Sequence, residues 1–125
     1  MVSILVVERD PALARLFDEE LAEAGFSVRV RPDLDAALAD LRQEPAQILV
    51  TDEPSMGGQV GWWLPNARRV HSGPVVVLGL DRRRLPEPYA GLFALPKSSD
   101  LAPLIASLRR QALALLWSSA VAPVC

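Results

Sequence analysis

The sequence predicts a doubly wound α/β fold. A five-stranded parallel sheet, ordered 2-1-3-4-5, carries helices on both faces. Three observations predict it. The runs Ser3–Val7, Gln47–Thr51 and Pro74–Leu78 are apolar and rich in β-branched residues, as strands covered on both sides are. Between them lie segments with apolar residues at three- and four-residue spacing, the mark of helices with one buried stripe. The two kinds alternate along the chain, which implies right-handed crossovers between parallel strands.

The elements follow in order. Ser3–Val7 is the first strand. Asp10 then caps a helix that Pro11 opens, because the Asp oxygen accepts from free N–H groups and Pro sacrifices a donor the first turn would waste. Leu13, Leu16, Phe17 and Leu21 form its buried stripe, and Gly25 closes it. Phe26–Val30 is a second strand. Asp33 caps a second helix with Leu34, Ala37, Leu38 and Leu41 inward, stopped by Pro45. The third strand, Gln47–Thr51, runs out at Asp52 into the Gly-rich stretch EPSMGGQVG. A short helix is expected over Trp63–Val70, and Pro74–Leu78 is the fourth strand. The next interval holds Pro86 and Pro88, so a fourth helix is expected to be short or missing. Gly91–Leu95 is a weak fifth strand. Asp100 caps a fifth helix to about Trp117, with Leu101, Leu104, Ile105, Leu108, Ala112 and Leu115 inward. Residues 1–117 make one domain, and 118–125 a tail or the start of a linker.

Composition narrows the function. Lys and Arg total 13 against 15 Asp and Glu, a formal net charge of −2, which gives no broad field for nucleic acid. No run reaches the roughly 20 apolar residues of a membrane span, so no membrane partner is expected. The one cysteine, Cys125, forms no internal disulfide, which points to a reducing, cytoplasmic setting. No His/Cys cluster of metal-ligand type is present. His71, a lone histidine before a turn, reads as a surface residue.

In a sheet of this order the ligand crevice lies at the carboxyl ends of strands 1 and 3. Glu8, Arg9 and Asp10 follow the first strand, and Asp52 ends the third. Lys97, the single lysine, follows the fifth. Acids at this edge suit a divalent cation such as Mg²⁺, which takes a couple of carboxylates. An Asp can accept a phosphoryl group, and a nearby lysine neutralises the transferred oxygens. A flavin- or nucleotide-binding enzyme on the same architecture needs a phosphate-cradling loop after strand 1. Here that loop is ERDPA, whose acids repel phosphate.

At these residues the chain resembles response-regulator receiver domains, with a flavodoxin-like strand order, over roughly residues 3–117. ILVVERD is similar to the strand-1 end with paired acids, and ILVTDEPSMGG to the strand-3 end with its acceptor Asp. PVVVLGL is similar to the fourth strand, and LFALPKSSDL to the Lys-Pro segment before the last helix. The resemblance implies Asp52 as phosphoacceptor and Lys97 as phosphate contact. It implies Glu8, Asp52 and the Pro54 carbonyl as Mg²⁺ ligands, with Asp10 a lesser candidate. The sequence departs from the pattern three times. Arg9 stands where a second acid is usual, and its guanidinium can pair with Asp52 or Glu8 and fill the metal's place. Gly79 replaces the hydroxyl residue that links phosphate to the output face. Pro96-Lys97 reverses the usual order, so either Lys97 or Pro96 occupies the lysine position. Phe93 or Ala94 falls nearest the family's aromatic switch.

The expectation is a non-enzymatic two-component-type signalling module. It is a degenerate receiver acting through a protein partner, with weak or no phosphorylation at Asp52 and weak or absent Mg²⁺ if Arg9 fills the site. The alternative is a working acceptor that takes a phosphoryl group from a histidine kinase. Trp62 and Trp63 are candidates for a partner surface, one in the core and one partly exposed. The apolar end of the last helix, Leu113, Leu115, Leu116 and Trp117, hints at a homodimer through the region of the fourth and fifth helices.

Overall fold

The computed structural model describes residues 1–52, 60–80 and 91–120. The described elements run β1 (Ser3–Val7), α1 (Pro11–Glu23), β2 (Ser27–Arg31), α2 (Leu34–Gln43), β3 (Ile48–Asp52), α3 (Val60–Ala67), β4 (Val75–Leu78), β5 (Leu92–Leu95) and α4 (Ala102–Ala120). The strands form one parallel sheet ordered β2-β1-β3-β4-β5, as the sequence predicts. Here α4 is the helix expected as the fifth. The expected fourth helix, with Pro86 and Pro88, lies outside the described residues.

Alternation along the central strands divides the core in two. Leu5, Val7, Leu49, Val75 and Val77 point to one side and meet Ala37 and Leu41 of α2 and Trp63 and Leu64 of α3. Ile4, Val6, Ile48, Val50 and Val76 point to the other and meet Phe17 and Leu21 of α1 and Leu101, Leu104 and Leu108 of α4. A strand with both faces covered favours apolar residues at consecutive positions, which is why residues 4–7, 48–50 and 75–78 read as apolar runs, with polar Thr51 and Asp52 at the carboxyl end of β3. The edge strand β2, SVRVR, alternates instead. Arg29 and Arg31 both clasp Asp40 of α2, at 2.7 and 2.5 Å.

The helix starts follow the sequence reading. Asp10 Oδ1 accepts from the Ala12 N–H at 2.9 Å, and Asp33 Oδ1 from the Ala36 N–H at 2.8 Å. Gly25 turns the chain out of α1 at φ +101°, a conformation that side chains with a Cβ resist. Asp100 accepts from the Ala102 N–H at 3.1 Å ahead of α4.

Three expectations are corrected. Helix α3 covers Val60–Ala67 rather than Trp63–Val70, so Pro65 falls inside it; the turn after it is held by Val70 and His71 N–H groups donating to the Ala67 carbonyl. Helix α4 continues to Ala120, beyond Trp117. His71 is not a surface residue: it is 4% exposed, with Nε2 2.9 Å from the Pro74 carbonyl oxygen. The imidazole and the Arg68 guanidinium, which donates to the Gly73 and His71 carbonyls, together hold the turn into β4. Burial lowers the His71 pKa, the nearby Arg68 charge pushes the same way, and the Pro74 contact opposes both. No described helix is long and apolar enough to cross a membrane.

Candidate functional site

The sheet order brings the carboxyl ends of β1 and β3 side by side, with β4 and β5 following. Asp52 is in register with Leu78, and Leu78 with Leu95, so the residues just past each strand end share one edge. Glu8 extends β1 by one rung, its N–H donating to the Arg31 carbonyl at 2.9 Å. Gly79 does the same beyond β4, donating to the Leu95 carbonyl at 2.7 Å.

At this edge two carboxylates meet one ammonium. Lys97 Nζ lies 2.5 Å from Asp52 Oδ2 and 3.3 Å from Glu8 Oε2. Asp52 is 4% exposed and Glu8 5%, whereas the Lys97 side chain keeps 34% of its surface in solvent. The Asp10 N–H adds a contact to Glu8 Oε1 at 3.2 Å. A buried carboxylate is tolerated when hydrogen bonds and an opposite charge replace its water, and this arrangement does so for both acids. Burial alone lowers the lysine's pKa; the hydrogen bond and charge of Asp52, reinforced by Glu8, outweigh it and raise the pKa above its ordinary value of 10.5.

The structure brings together Glu8, Asp52 and Lys97 of the residues singled out in the sequence. It is Lys97 whose side chain reaches Asp52, and Pro96 precedes it at the end of β5. Arg9 is not part of the group. It is exposed, and among the described residues no ion pair joins it to Glu8 or Asp52. The expected guanidinium in the cation's place is thus corrected to an ammonium. The cause is local: Glu8 turns inward from the end of β1, and the next residue points away. Asp10 is spent as the cap of α1. Pro54 and its carbonyl lie outside the described residues.

Gly79 adopts φ +81°, the left-handed region that favours glycine. Added there, a Cβ would meet only the Lys97 Cβ, at 3.6 Å, which is ordinary contact. Space therefore exists for a hydroxyl side chain, and the backbone conformation opposes one. Trp63 is corrected as a partner surface: it is 1% exposed and packs in the core, because α3 begins early enough to turn it onto the sheet. The Trp62 side chain lies outside the described residues. Phe93, on β5, is 39% exposed.

Could this group hold a divalent cation? Two buried carboxylates converging on the Lys97 ammonium provide the donors that Mg²⁺ uses, with its remaining positions left to water, a carbonyl or phosphate. The donor chemistry fits. Any such ion competes with the Lys97 ammonium for the same oxygens. The lysine has the means to yield, being partly exposed and on a flexible stem. Sequence reasoning found all three members of the group. It missed that Lys97 touches both acids at once, a contact across three separate strand ends for which no local pattern exists.

No protein-family model matches the sequence, and no curated protein does. Solved structures do match. A two-component response regulator from Clostridium difficile superposes with a TM-score of 0.77 at 18% identity, covering 90% of this chain and 97% of that one. The response regulator TrrA from Thermotoga maritima, solved in complex with Mg²⁺-BeF, gives a TM-score of 0.65 at 17% identity over 89% of this chain and 99% of that one. A structure of the histidine kinase ThkA in complex with TrrA gives 0.71 at 20% identity over 89% and 98%. These likenesses show that the chain has the flavodoxin-like receiver fold.

Proposed function

We propose, from the premise of a receiver fold, that this protein is a two-component-type signalling module whose Asp52 accepts a phosphoryl group. The observation that carries this reading is the ammonium of Lys97 held between Asp52 and Glu8 while Arg9 points to solvent. Two departures from the family pattern weigh against phosphorylation, Arg9 and Gly79; an exposed Arg9 speaks against a guanidinium in the cation's place, while the missing second acid and Gly79 remain.

In this reading an Asp52 oxygen attacks phosphorus on a phosphohistidine or a small phosphodonor. A P–O bond forms as the bond to the leaving group breaks, and that group departs with the electron pair and takes up a proton. Lys97 shifts from the carboxylates to the incoming phosphoryl oxygens and neutralises them. Glu8 and Asp52, with the Pro54 carbonyl, would hold Mg²⁺, which when bound supplies further positive charge against the phosphoryl oxygens. Asp10 is left out of the ligand set because it caps α1. The expected boundary at 117 falls inside α4, so the receiver domain is taken to run to the end of that helix at Ala120. A histidine kinase is the proposed partner, supported by the kinase complex of TrrA.

A second reading is favoured by Gly79. A hydroxyl residue is missing there, and the positive φ disfavours restoring one. In a degenerate receiver the Lys97 bridge would serve as a permanent counter-ion and the output would come from a binding surface alone. Incubation with acetyl phosphate and Mg²⁺, followed by intact-mass measurement, decides between them. The first reading expects a phosphoryl adduct on the wild type that Asp52→Asn abolishes. An unlabelled wild type overturns it and leaves the degenerate module.

A further inference from the structure

The strand order leaves β2 at an edge of the sheet. Backbone groups along a strand alternate in direction. The Ser27 N–H donates to the Val2 carbonyl and the Arg31 carbonyl accepts from Glu8, so Ser27, Arg29 and Arg31 face β1. Val28 and Val30 therefore turn their N–H and C=O groups outward. The Val30 carbonyl is covered by the Arg31 guanidinium, whose Nη1 donates to it at 2.8 Å. Among the described residues, nothing pairs with the Val28 N–H, the Val28 carbonyl or the Val30 N–H.

A cleft of about 450 Å³ follows the same strand, between it and Ala14, Arg15 and Asp18 of α1. The two valine side chains lean to this side. Arg29 and Arg31 lean the other way and share one carboxylate, Asp40, with Glu44 further off at 3.7 Å from Arg29. The Arg31 side chain stays 40% exposed. Arg15 is exposed too, and no ion pair joins it among the described residues.

We propose that this edge takes up an extended segment of a partner protein as an additional strand, one in which acidic and β-branched residues alternate. The outward N–H and C=O groups select a strand, because a helix has spent its own along its length. The alternation SVRVR selects the sequence. Branched apolar residues on the α1 side continue the surface of Val28 and Val30, and acids on the α2 side meet the guanidiniums of Arg29 and Arg31. A second copy of the chain is the poorer occupant. An antiparallel pairing of two β2 strands brings two more arginines onto a face where two already share Asp40. Charged edge residues thus guard against unselective pairing and favour an acidic partner. One strand added to a short edge stays well below the roughly 1,200 Å² of a stable interface, so the complex is a dissociable one, expected in the micromolar to submillimolar range. No residue of the crevice takes part, so this inference stands apart from the phosphoryl reading.

Titration of the ¹⁵N-labelled full chain with a capped hexapeptide of alternating glutamate and valine, followed by NMR, tests it. The Val28 and Val30 amides are expected to shift downfield and to exchange with solvent at least tenfold more slowly, while the Arg29 amide, already bonded to β1, gains no protection. A peptide with lysine in place of glutamate is expected to bind at least tenfold more weakly. Only one edge of an added strand faces β2. N-methylation of one alternate set of peptide nitrogens should therefore abolish binding, and methylation of the other set should spare it. Unmoved Val28 and Val30 amides, equal binding of the lysine peptide, or equal effects of the two methylated peptides would each overturn the proposal. So would shifts of these two amides on concentrating the protein alone, which would make the occupant a second copy.

Discussion

Removing the charge of Lys97 while keeping its length is the most informative single change. Lys97→Met leaves Asp52 and Glu8, 4% and 5% exposed, facing one another without the ammonium that now lies 2.5 and 3.3 Å away. Deleting one partner of a buried ion pair costs about 3–5 kcal/mol when nothing else holds the remaining charge, and here Glu8 keeps the Asp10 N–H and Asp52 a further contact. Here the lysine is 34% exposed, so solvent already screens part of the attraction and admits water once it is gone; about 2–3 kcal/mol is the reasoned loss. At this chain length each kcal/mol moves Tm by roughly 4 °C, so a fall of about 8–12 °C is expected. Mg²⁺ should reverse much of it, because the same oxygens become free to bind it. At ten times Kd the gain is about 1.4 kcal/mol. The assay is thermal and urea unfolding of both proteins, with and without Mg²⁺. If Lys97→Met is as stable as the wild type without metal, the three groups are not coupled and the argument for a shared site fails.

Three further outcomes follow from the same geometry. Gly79→Thr should fold but lose about 1–2 kcal/mol, because a Cβ has room at 3.6 Å from Lys97 while φ +81° is unfavourable for a β-branched residue; urea unfolding measures it, and a loss above about 4 kcal/mol would mean that the space is not there. Arg9→Asp should change stability by less than about 0.5 kcal/mol, since Arg9 is exposed, yet tighten Mg²⁺ binding by adding an acid at the rim, as titration calorimetry would read. His71, whose pKa is lowered by burial, should make stability pH-dependent: the unfolded chain takes up the proton first, so stability is full above the ordinary value of 6.5 and declines as pH falls below it. His71→Gln should flatten that slope between about pH 7 and 5, measured by urea midpoints across pH, and an unchanged slope would refute the assignment.

The sequence was most legible where a rule acts over a few residues. Asp10-Pro11 and Asp33 start helices because capping needs only a side-chain oxygen and the next free N–H groups. It was less legible where burial depends on distant contacts. His71 stands before a turn in a polar setting, and nothing nearby tells that the turn folds under and is held from Arg68. Trp62 and Trp63 looked equivalent until the start of α3 at Val60 turned Trp63 to the sheet.

The crevice shows the same division. Strand order follows from alternating strands and helices, so the meeting of Glu8, Asp52 and Lys97 at one edge was written in the chain itself. Which cation lies between the acids was not. Arg9 is adjacent in sequence to Glu8, and Lys97 is distant from both acids. Adjacency along a strand end sends neighbouring side chains in different directions, while parallel register brings remote strand ends to within bonding distance. Local chemistry thus set the elements and the edge they share, and only three-dimensional packing decided that the lysine, and not the arginine, reaches in.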